Sequence, residues 1–352
     1  MTDRDASAGD VVLPSDGRDL DPRLAVEAGA AIDQRARIYG PDRPMPGAGR
    51  PVYDRVPSDP TPGGSPTYYD QPVIKTPPWG MPVAAYLVTG GAAGSAAVLA
   101  AAADLVGGRE QRGLVTASRA VATGACLASA GLLVADLGRP TRLLNMFRVL
   151  RPTSAMSVGA YVLSATTGAS IVALVLGGRR GVLGGLGRAA GVAAGVGGVP
   201  LAGYTGVLLA ATAVPGWNVG VETLPPLFMS SGAATTASAL RLLPLSAASL
   251  RTVGTVAVAV QVAELAVEAV HESRLRDRPH VRAAYDAAWQ LRTGRLLTAA
   301  SLALGVLPTR RSRTGRAAAG VLGVVGSTLT KVGVFEAGML SAADPRAVPE
   351  SG

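Results

Sequence analysis

The strongest constraint on the fold is a series of eight apolar runs that occupies most of the chain from residue 81 onwards. Most runs reach the roughly 20 residues that a helix needs to cross the hydrocarbon core of a bilayer. In hydrocarbon every backbone N–H and C=O must be bonded within the protein, which favours helices. The sequence therefore predicts an all-α integral membrane protein, a bundle of about eight transmembrane helices. The predicted spans are about 81–106, 113–135, 154–177, 189–213, 225–246, 252–271, 294–308 and 315–335.

Composition supports this class and argues against a nucleic-acid-binding protein. Only 16% of residues are charged, against about 25% in soluble domains. The net charge of +9 is due mainly to arginine, and such a basic chain raises the question of nucleic-acid binding. Here, however, the arginines cluster between apolar runs, where they anchor helix ends at lipid headgroups. We therefore expect the lipid bilayer as a partner, and no nucleic acid.

The chain divides into a polar segment of residues 1–79, a helical bundle over 80–338 and a short C-terminal tail over 339–352. The first segment holds 13 of the 25 prolines, a density that prevents a packed core. It is predicted to be a disordered Pro-rich tail with one short helix over 24–37. The tail is either a flexible extension or a strap over a partner, and its start lacks the features of a signal peptide.

Cysteine and histidine are scarce. Cys126 is the single cysteine, so the chain has no internal disulfide and no cysteine set for zinc or an iron–sulfur cluster. The two histidines are His271 and His280, and neither pairs with another histidine at depth in the membrane. We therefore expect no haem and no metal in this chain.

Helix parity brings the polar residues to one side of the membrane. With eight spans, both termini and the ends of the second, fourth, sixth and eighth spans share a side. The arginine-rich stretch from Asp136 to Ser157 begins at the end of the second span. Four arginines in this stretch are more than a simple link between two spans requires, so it is predicted to be a docking or reaction surface. Arg142, Arg148 and Arg151 are its predicted docking residues.

The sixth span carries a polar constellation. Gln261, Glu264, Glu268 and His271 are spaced i, i+3, i+7 and i+10, which places them on one helical face. Ionisable residues in a membrane helix usually face the bundle interior or a water path. Lys331 in the last span is a candidate cation for the carboxylates. Two interpretations stay open, a structural ion pair between helices and a proton path formed by Glu264, Glu268 and Lys331. Arg119 is expected to snorkel to the interface.

Several motifs resemble those of the NrfD/polysulfide-reductase family of membrane anchor subunits, in the variety associated with formate dehydrogenases. The most specific block is Asp136-Leu-Gly-Arg139-Pro140 with Leu144-Asn145-Met146, followed by Pro152-Thr-Ser-Ala-Met-Ser157. The other matching segments are Tyr69–Lys75, Pro82–Gly94, Tyr204–Leu209 and Val334–Pro345.

The resemblance implies a quinone-reactive subunit of a multisubunit oxidoreductase in the plasma (inner) membrane. A four-cluster ferredoxin-like iron–sulfur subunit and a molybdopterin catalytic subunit would be its partners, and menaquinone or ubiquinone its bound substrate. The resemblance places Asp136, Arg139 and Asn145 near the quinone pocket, with Tyr204 facing it. The Tyr204 phenol would donate either to a backbone carbonyl or to the quinone. Some relatives use a histidine in the first span, which this sequence lacks.

Two other functions are alternatives to quinone chemistry. A purely structural anchor would hold soluble subunits without reacting with quinone. A transporter would show inverted repeats with interrupted helices, and the sequence shows no such symmetry. Arginine numbers are similar on the two sides, so charge does not decide the orientation.

Overall fold

A computed structural model describes residues 74–137, 141–307 and 312–351, without the side chains of Arg142, Leu144 and Ser351. The predicted N-terminal tail, its short helix, Arg139 and Pro140 lie outside these residues. The described part is all-α, which confirms the predicted fold class. Its helices are α1 Met81–Val106, α2 Arg112–Asp136, α3 Arg142–Met146, α4 Ala155–Leu176, α5 Gly181–Ala210, α6 Pro215–Asn218, α7 Leu224–Leu240, α8 Ala247–Arg274, α9 Pro279–Ala287, α10 Trp289–Val306 and α11 Arg313–Ala343, with short 3₁₀ turns at Arg109–Gln111 and Pro345–Ser351.

Eight long helices lie where the apolar runs predicted them. Six of these (α1, α2, α4, α5, α8 and α11) are long and apolar enough to cross a membrane by length and composition. The other two are shorter, with 17 residues in α7 and 18 in α10. Hydroxyl side chains cap several starts: Ser154, Ser246 and Ser312 accept hydrogen bonds from the first turns of α4, α8 and α11.

Five helix boundaries differ from the prediction by five residues or more, and two of these are earlier starts: α5 begins at Gly181 rather than 189 and α8 at Ala247 rather than 252. The fifth run ends as a helix at Leu240, and Pro244 follows shortly after it. Helix α10 begins at Trp289 rather than 294, because its polar first turn still buries Leu291. Helix α11 continues to Ala343, beyond the predicted end at 335. Hydropathy marks the apolar part of a helix, so it missed the polar first turn of α10.

Close helix contacts depend on small residues. Helix α1 packs against α2, α5 and α7, and α11 packs against α7 and α10. A Cβ atom on Gly94 of α1 would lie 2.5 Å from the backbone nitrogen of Ala202 in α5. The two backbones therefore approach more closely than any side chain would allow, as in other membrane helix pairs.

The helices define two ends of the bundle. At the N-terminal face, where the chain enters α1, lie the described parts of 137–154, then 211–223, 275–288 and 344–351. At the opposite face lie 107–111, 177–180 and 241–246. The N-terminal face is tied together by a stack of Trp79 on Trp217, with ring centroids 5.4 Å apart. Glu350 also accepts hydrogen bonds from the first backbone N–H groups of α9, at 3.0 and 3.1 Å.

Candidate functional site

The inner face of α8 carries four polar side chains, here called the α8 polar row: Gln261, Glu264, Glu268 and His271. All four are buried, with at most 3% of any residue exposed. The prediction that they share one helical face is thus confirmed. Ten residues of helix separate the first from the last, which is about 15 Å, or half the hydrocarbon thickness of a bilayer.

Glu264 is the deepest carboxylate of the row. Its Oε2 accepts a hydrogen bond of 2.7 Å from the Ser327 hydroxyl of α11. Ser231 of α7 in turn donates to the carbonyl oxygen of Ser327 at 2.9 Å. A hydroxyl of α11 therefore contacts the carboxylate directly, and a hydroxyl of α7 holds the backbone of the serine that provides it.

Glu268 lies one turn closer to the N-terminal face and has a cation. Arg295 of α10 contacts its Oε1 through Nη2 at 3.0 Å and through Nε at 3.2 Å. The same guanidinium contacts Glu272. Sequence reasoning missed Arg295, although an arginine inside an apolar run was a signal. The predicted span began at residue 294, which left Arg295 at its edge, whereas α10 begins at Trp289.

Lys331 is fully buried but does not pair directly with Glu264. Its Nζ donates to the carbonyl oxygen of Leu87 in α1 at 3.3 Å and lies 5.6 Å from the ring centroid of Phe228. Among the described residues no carboxylate lies within 4.0 Å of it. The structural ion pair to Glu264 considered from the sequence is therefore not formed. Because α11 continues to Ala343, Lys331 also lies deeper than the predicted span implied.

Each residue of the α8 polar row leaves one polar atom without a hydrogen-bond partner among the described residues. These atoms are Gln261 Oε1, Glu264 Oε1, Glu268 Oε2 and His271 Nε2. Buried polar atoms are normally satisfied, so four consecutive exceptions on one face need an explanation. Unused hydrogen-bonding capacity at such a spacing is what a chain of water molecules or a proton relay would require.

The two ends of the row are held in place. At the inner end, Gln261 Nε2 lies 2.7 Å from Ser301 Oγ and 3.3 Å from Ser238 Oγ. At the N-terminal face, His271 Nδ1 lies 2.7 Å from Thr223 Oγ1. Beside it, burial raises the pKa of the Tyr285 phenol far above its usual range, so this tyrosine stays a neutral donor.

Three of the four residues expected near a quinone pocket are described, and they lie at or toward the N-terminal face. Tyr204 is buried in α5, and its hydroxyl donates to the carbonyl oxygen of Ala155, the first residue of α4, at 2.7 Å. Asp136 and Asn145 are exposed, and no described contact joins either to Tyr204. Arg139 lies outside the described residues.

The predicted docking residues share this face. Arg148 and Arg151 are exposed beside α3, and the side chain of Arg142 lies outside the described part. The Tyr161 hydroxyl holds the stretch to α4 by donating to the carbonyl oxygen of Phe147 at 2.8 Å. Arg148 and Arg151 therefore lie on a connector that this hydrogen bond attaches to α4.

Arg119 does not snorkel, so that prediction was wrong. Only 7% of the residue is exposed, and its Nη2 lies 2.9 Å from Asp104 Oδ2 of α1. Gly177 and Gly191 provide the room, because a Cβ atom on either would meet the guanidinium. The described residues contain no group of three or more His, Cys, Asp or Glu side chains placed to hold a metal ion.

Comparison with known proteins gives the family. The sequence matches the family described as "Polysulphide reductase, NrfD" over residues 71–273, which is more than half of the chain. The chain belongs to the NrfD family. No curated protein matches it in sequence. The family and the apolar helices together make it a multi-pass membrane protein. The matched range contains the Asp136–Ser157 stretch and the whole α8 polar row.

Proposed function

We propose that this NrfD-family protein is the membrane anchor and quinone-reactive subunit of a multisubunit molybdopterin and iron–sulfur oxidoreductase. NrfD proteins are membrane subunits of molybdoenzyme complexes, and they typically pair with iron–sulfur and molybdenum subunits. A four-cluster ferredoxin-like subunit would dock on Arg142, Arg148 and Arg151. The exposure of Arg148 and Arg151 at one end of the bundle supports this assignment.

Quinone reduction consumes two electrons and two protons to form the quinol. The electrons would come from the iron–sulfur subunit, with menaquinone or ubiquinone as the acceptor in the plasma membrane. Asp136, Arg139, Asn145 and Tyr204 are the proposed pocket residues. The Tyr204 hydroxyl already donates its proton to the carbonyl oxygen of Ala155. In this proposal Tyr204 therefore contributes its ring to the pocket and fixes the start of α4 by that hydrogen bond.

The observation that carries the proposal is the α8 polar row. Buried ionisable side chains are costly in a membrane and usually mark a functional site. Glu264 and Glu268 each keep one carboxylate oxygen without a partner among the described residues. Together with Lys331 they form the proposed proton path between the N-terminal face and the centre of the bundle.

Replacement of Glu264 by glutamine tests this role. Glu264→Gln keeps the size of the side chain and an acceptor for Ser327, but it cannot carry a proton. In the complex purified with its soluble subunits and reconstituted with menaquinone, we expect turnover to fall about a hundredfold, the range for loss of a proton-transfer group. Glu222→Gln is the matched control, since that carboxylate is exposed at the N-terminal face and pairs with Arg274 at 2.8 Å.

The control variant should retain full turnover. Equal turnover of Glu264→Gln and Glu222→Gln, with normal assembly of the complex, would contradict a proton path through Glu264. Absence of any quinone reduction by the intact wild-type complex would instead support the purely structural anchor.

A further inference from the structure

A cavity of about 780 Å³ opens at the opposite face, far from the proposed docking and quinone residues. It lies between the end of α7, the first turns of α8, the last turn of α10 and the first turns of α11. Arg241, Gly305 and Ala319 are buried members of its lining, while Arg251, Thr255 and Val306 are exposed at its rim.

Arg241 is a buried, positively charged residue in the lining of the cavity. Only 6% of this residue is exposed. Its Nη2 donates to the carbonyl oxygen of Gly254 at 3.2 Å, whereas its Nη1 has no hydrogen-bond partner among the described residues. No described carboxylate lies within 4.0 Å of it. A buried guanidinium without a counter-anion is costly, so the arrangement is suited to an anion supplied from outside the chain.

The surroundings reinforce a preference for an anion. Arg251 and Arg316 also line the cavity, and none of its described lining residues is acidic. Helices α8 and α11 begin beside the cavity and α7 and α10 end there, so the helix dipoles offset one another and the arginines carry the preference for an anion. Gly305 is part of this geometry, because a Cβ atom there would lie 2.9 Å from Nη2 of Arg241.

The remaining walls are apolar and suit a lipid more than a free ion. Leu250, Val258, Leu304 and Val306 line the same cavity, and Leu242 beside Arg241 is 45% exposed. From Ala247 to Val258 the cavity extends about 16 Å along α8, which is the depth of a headgroup and the upper part of its acyl chains. Basic pockets between membrane helices are known to bind anionic headgroups.

We propose that this cavity binds an anionic phospholipid, with the headgroup phosphate on Arg241 and the upper acyl chains against Leu250, Val258 and Leu304. The shared chemistry is that of a phosphate group, which free phosphate also carries. The apolar walls assign the site to the lipid. This inference does not depend on quinone chemistry, so each can fail without the other.

The test is lipid retention by the purified full-length protein. Native mass spectrometry after exchange into micelles with equal phosphatidylglycerol and phosphatidylcholine should show preferential retention of phosphatidylglycerol by the wild type. Arg241→Met keeps the length of the side chain and removes its charge, and it should reduce this preference at least about tenfold. Arg180→Met, at an exposed arginine of the same face outside the cavity, should leave it unchanged.

A second variant covers the case in which Arg241→Met does not fold. Thr255→Trp fills the rim from an exposed position and should also reduce phosphatidylglycerol retention while the protein stays folded. Inorganic phosphate, added without lipid, should leave the melting temperature of the wild type unchanged. Retention that is equal for both lipids, or unaffected by either cavity variant, would overturn the proposal. Stabilisation by inorganic phosphate without a lipid preference would overturn the lipid as the ligand.

Discussion

Glu268 of α8 and Arg295 of α10 form an ion pair, with 3.0 Å between Oε1 and Nη2. The side chain of Glu268 is 4% exposed and that of Arg295 is 38% exposed. Arg295 also contacts Glu272, which is half exposed. One guanidinium therefore links a buried carboxylate of the α8 polar row to the surface at the N-terminal face, and it marks the proposed entry point of the row.

Arg295→Gln should destabilise the protein, because it leaves Glu268 buried without its cation. Removal of one partner of a buried pair costs about 3–5 kcal/mol, and the partial exposure of Arg295 lowers our expectation to about 1–3 kcal/mol. The measurement is thermal unfolding in detergent. Arg292→Gln, on the exposed side of the same helix, should change stability by less than about 0.5 kcal/mol. The double variant Glu268→Gln/Arg295→Gln should recover part of the loss; no recovery would contradict the pairing.

Lys331→Met separates a structural role of this lysine from a functional one. Because Lys331 makes one hydrogen bond, to Leu87, and no direct ion pair, its removal should change stability by no more than about 1 kcal/mol. If its charge assists proton transfer by Glu264, quinone turnover should nevertheless fall about tenfold. Arg313→Met, an exposed cation on the same helix, should affect neither quantity. A large loss of stability with normal specific activity would identify Lys331 as structural.

Tyr204→Phe should weaken quinone binding through the position of α4. The substitution keeps the ring and removes the hydrogen bond to Ala155, worth about 1 kcal/mol. We expect KM for the quinone to rise about fivefold, with little change in kcat. Tyr285→Phe loses an equivalent hydrogen bond of 2.8 Å to Gly216 away from this pocket, and its KM should equal that of the wild type. If Tyr204→Phe and Tyr285→Phe have the same KM for the quinone, Tyr204 does not help to form the quinone pocket.

Charge reversal on the Asp136–Ser157 stretch should weaken docking of the iron–sulfur subunit. Arg148→Glu/Arg151→Glu replaces two exposed positive charges of the proposed docking surface by negative ones, so co-purification should fall at least about tenfold and become less sensitive to salt. Arg179→Glu/Arg180→Glu is the matched control, with two exposed arginines on the opposite face. Equal losses in the two double variants would place docking elsewhere or indicate a general charge effect.

The sequence alone predicted the fold class, the positions of the eight long helices and the common face of the α8 polar row. These features depend on the length of apolar runs and on the period of a single helix, which are local properties. The sequence also placed Tyr204 near a hydrogen-bond partner, since a buried phenol requires one. It left open which group that partner would be.

Only the tertiary structure decided which groups meet between helices. In the structure Arg119 pairs with Asp104 and Glu268 with Arg295, and Lys331 donates to a backbone carbonyl of α1. The structure also shows that Arg241 faces a cavity whose described lining residues include no acidic one. Side-chain partners across a bundle depend on the rotation and depth of each helix, which are set by close packing at residues such as Gly94. Helical periodicity determines which face of a helix is buried, but packing determines what that face contacts.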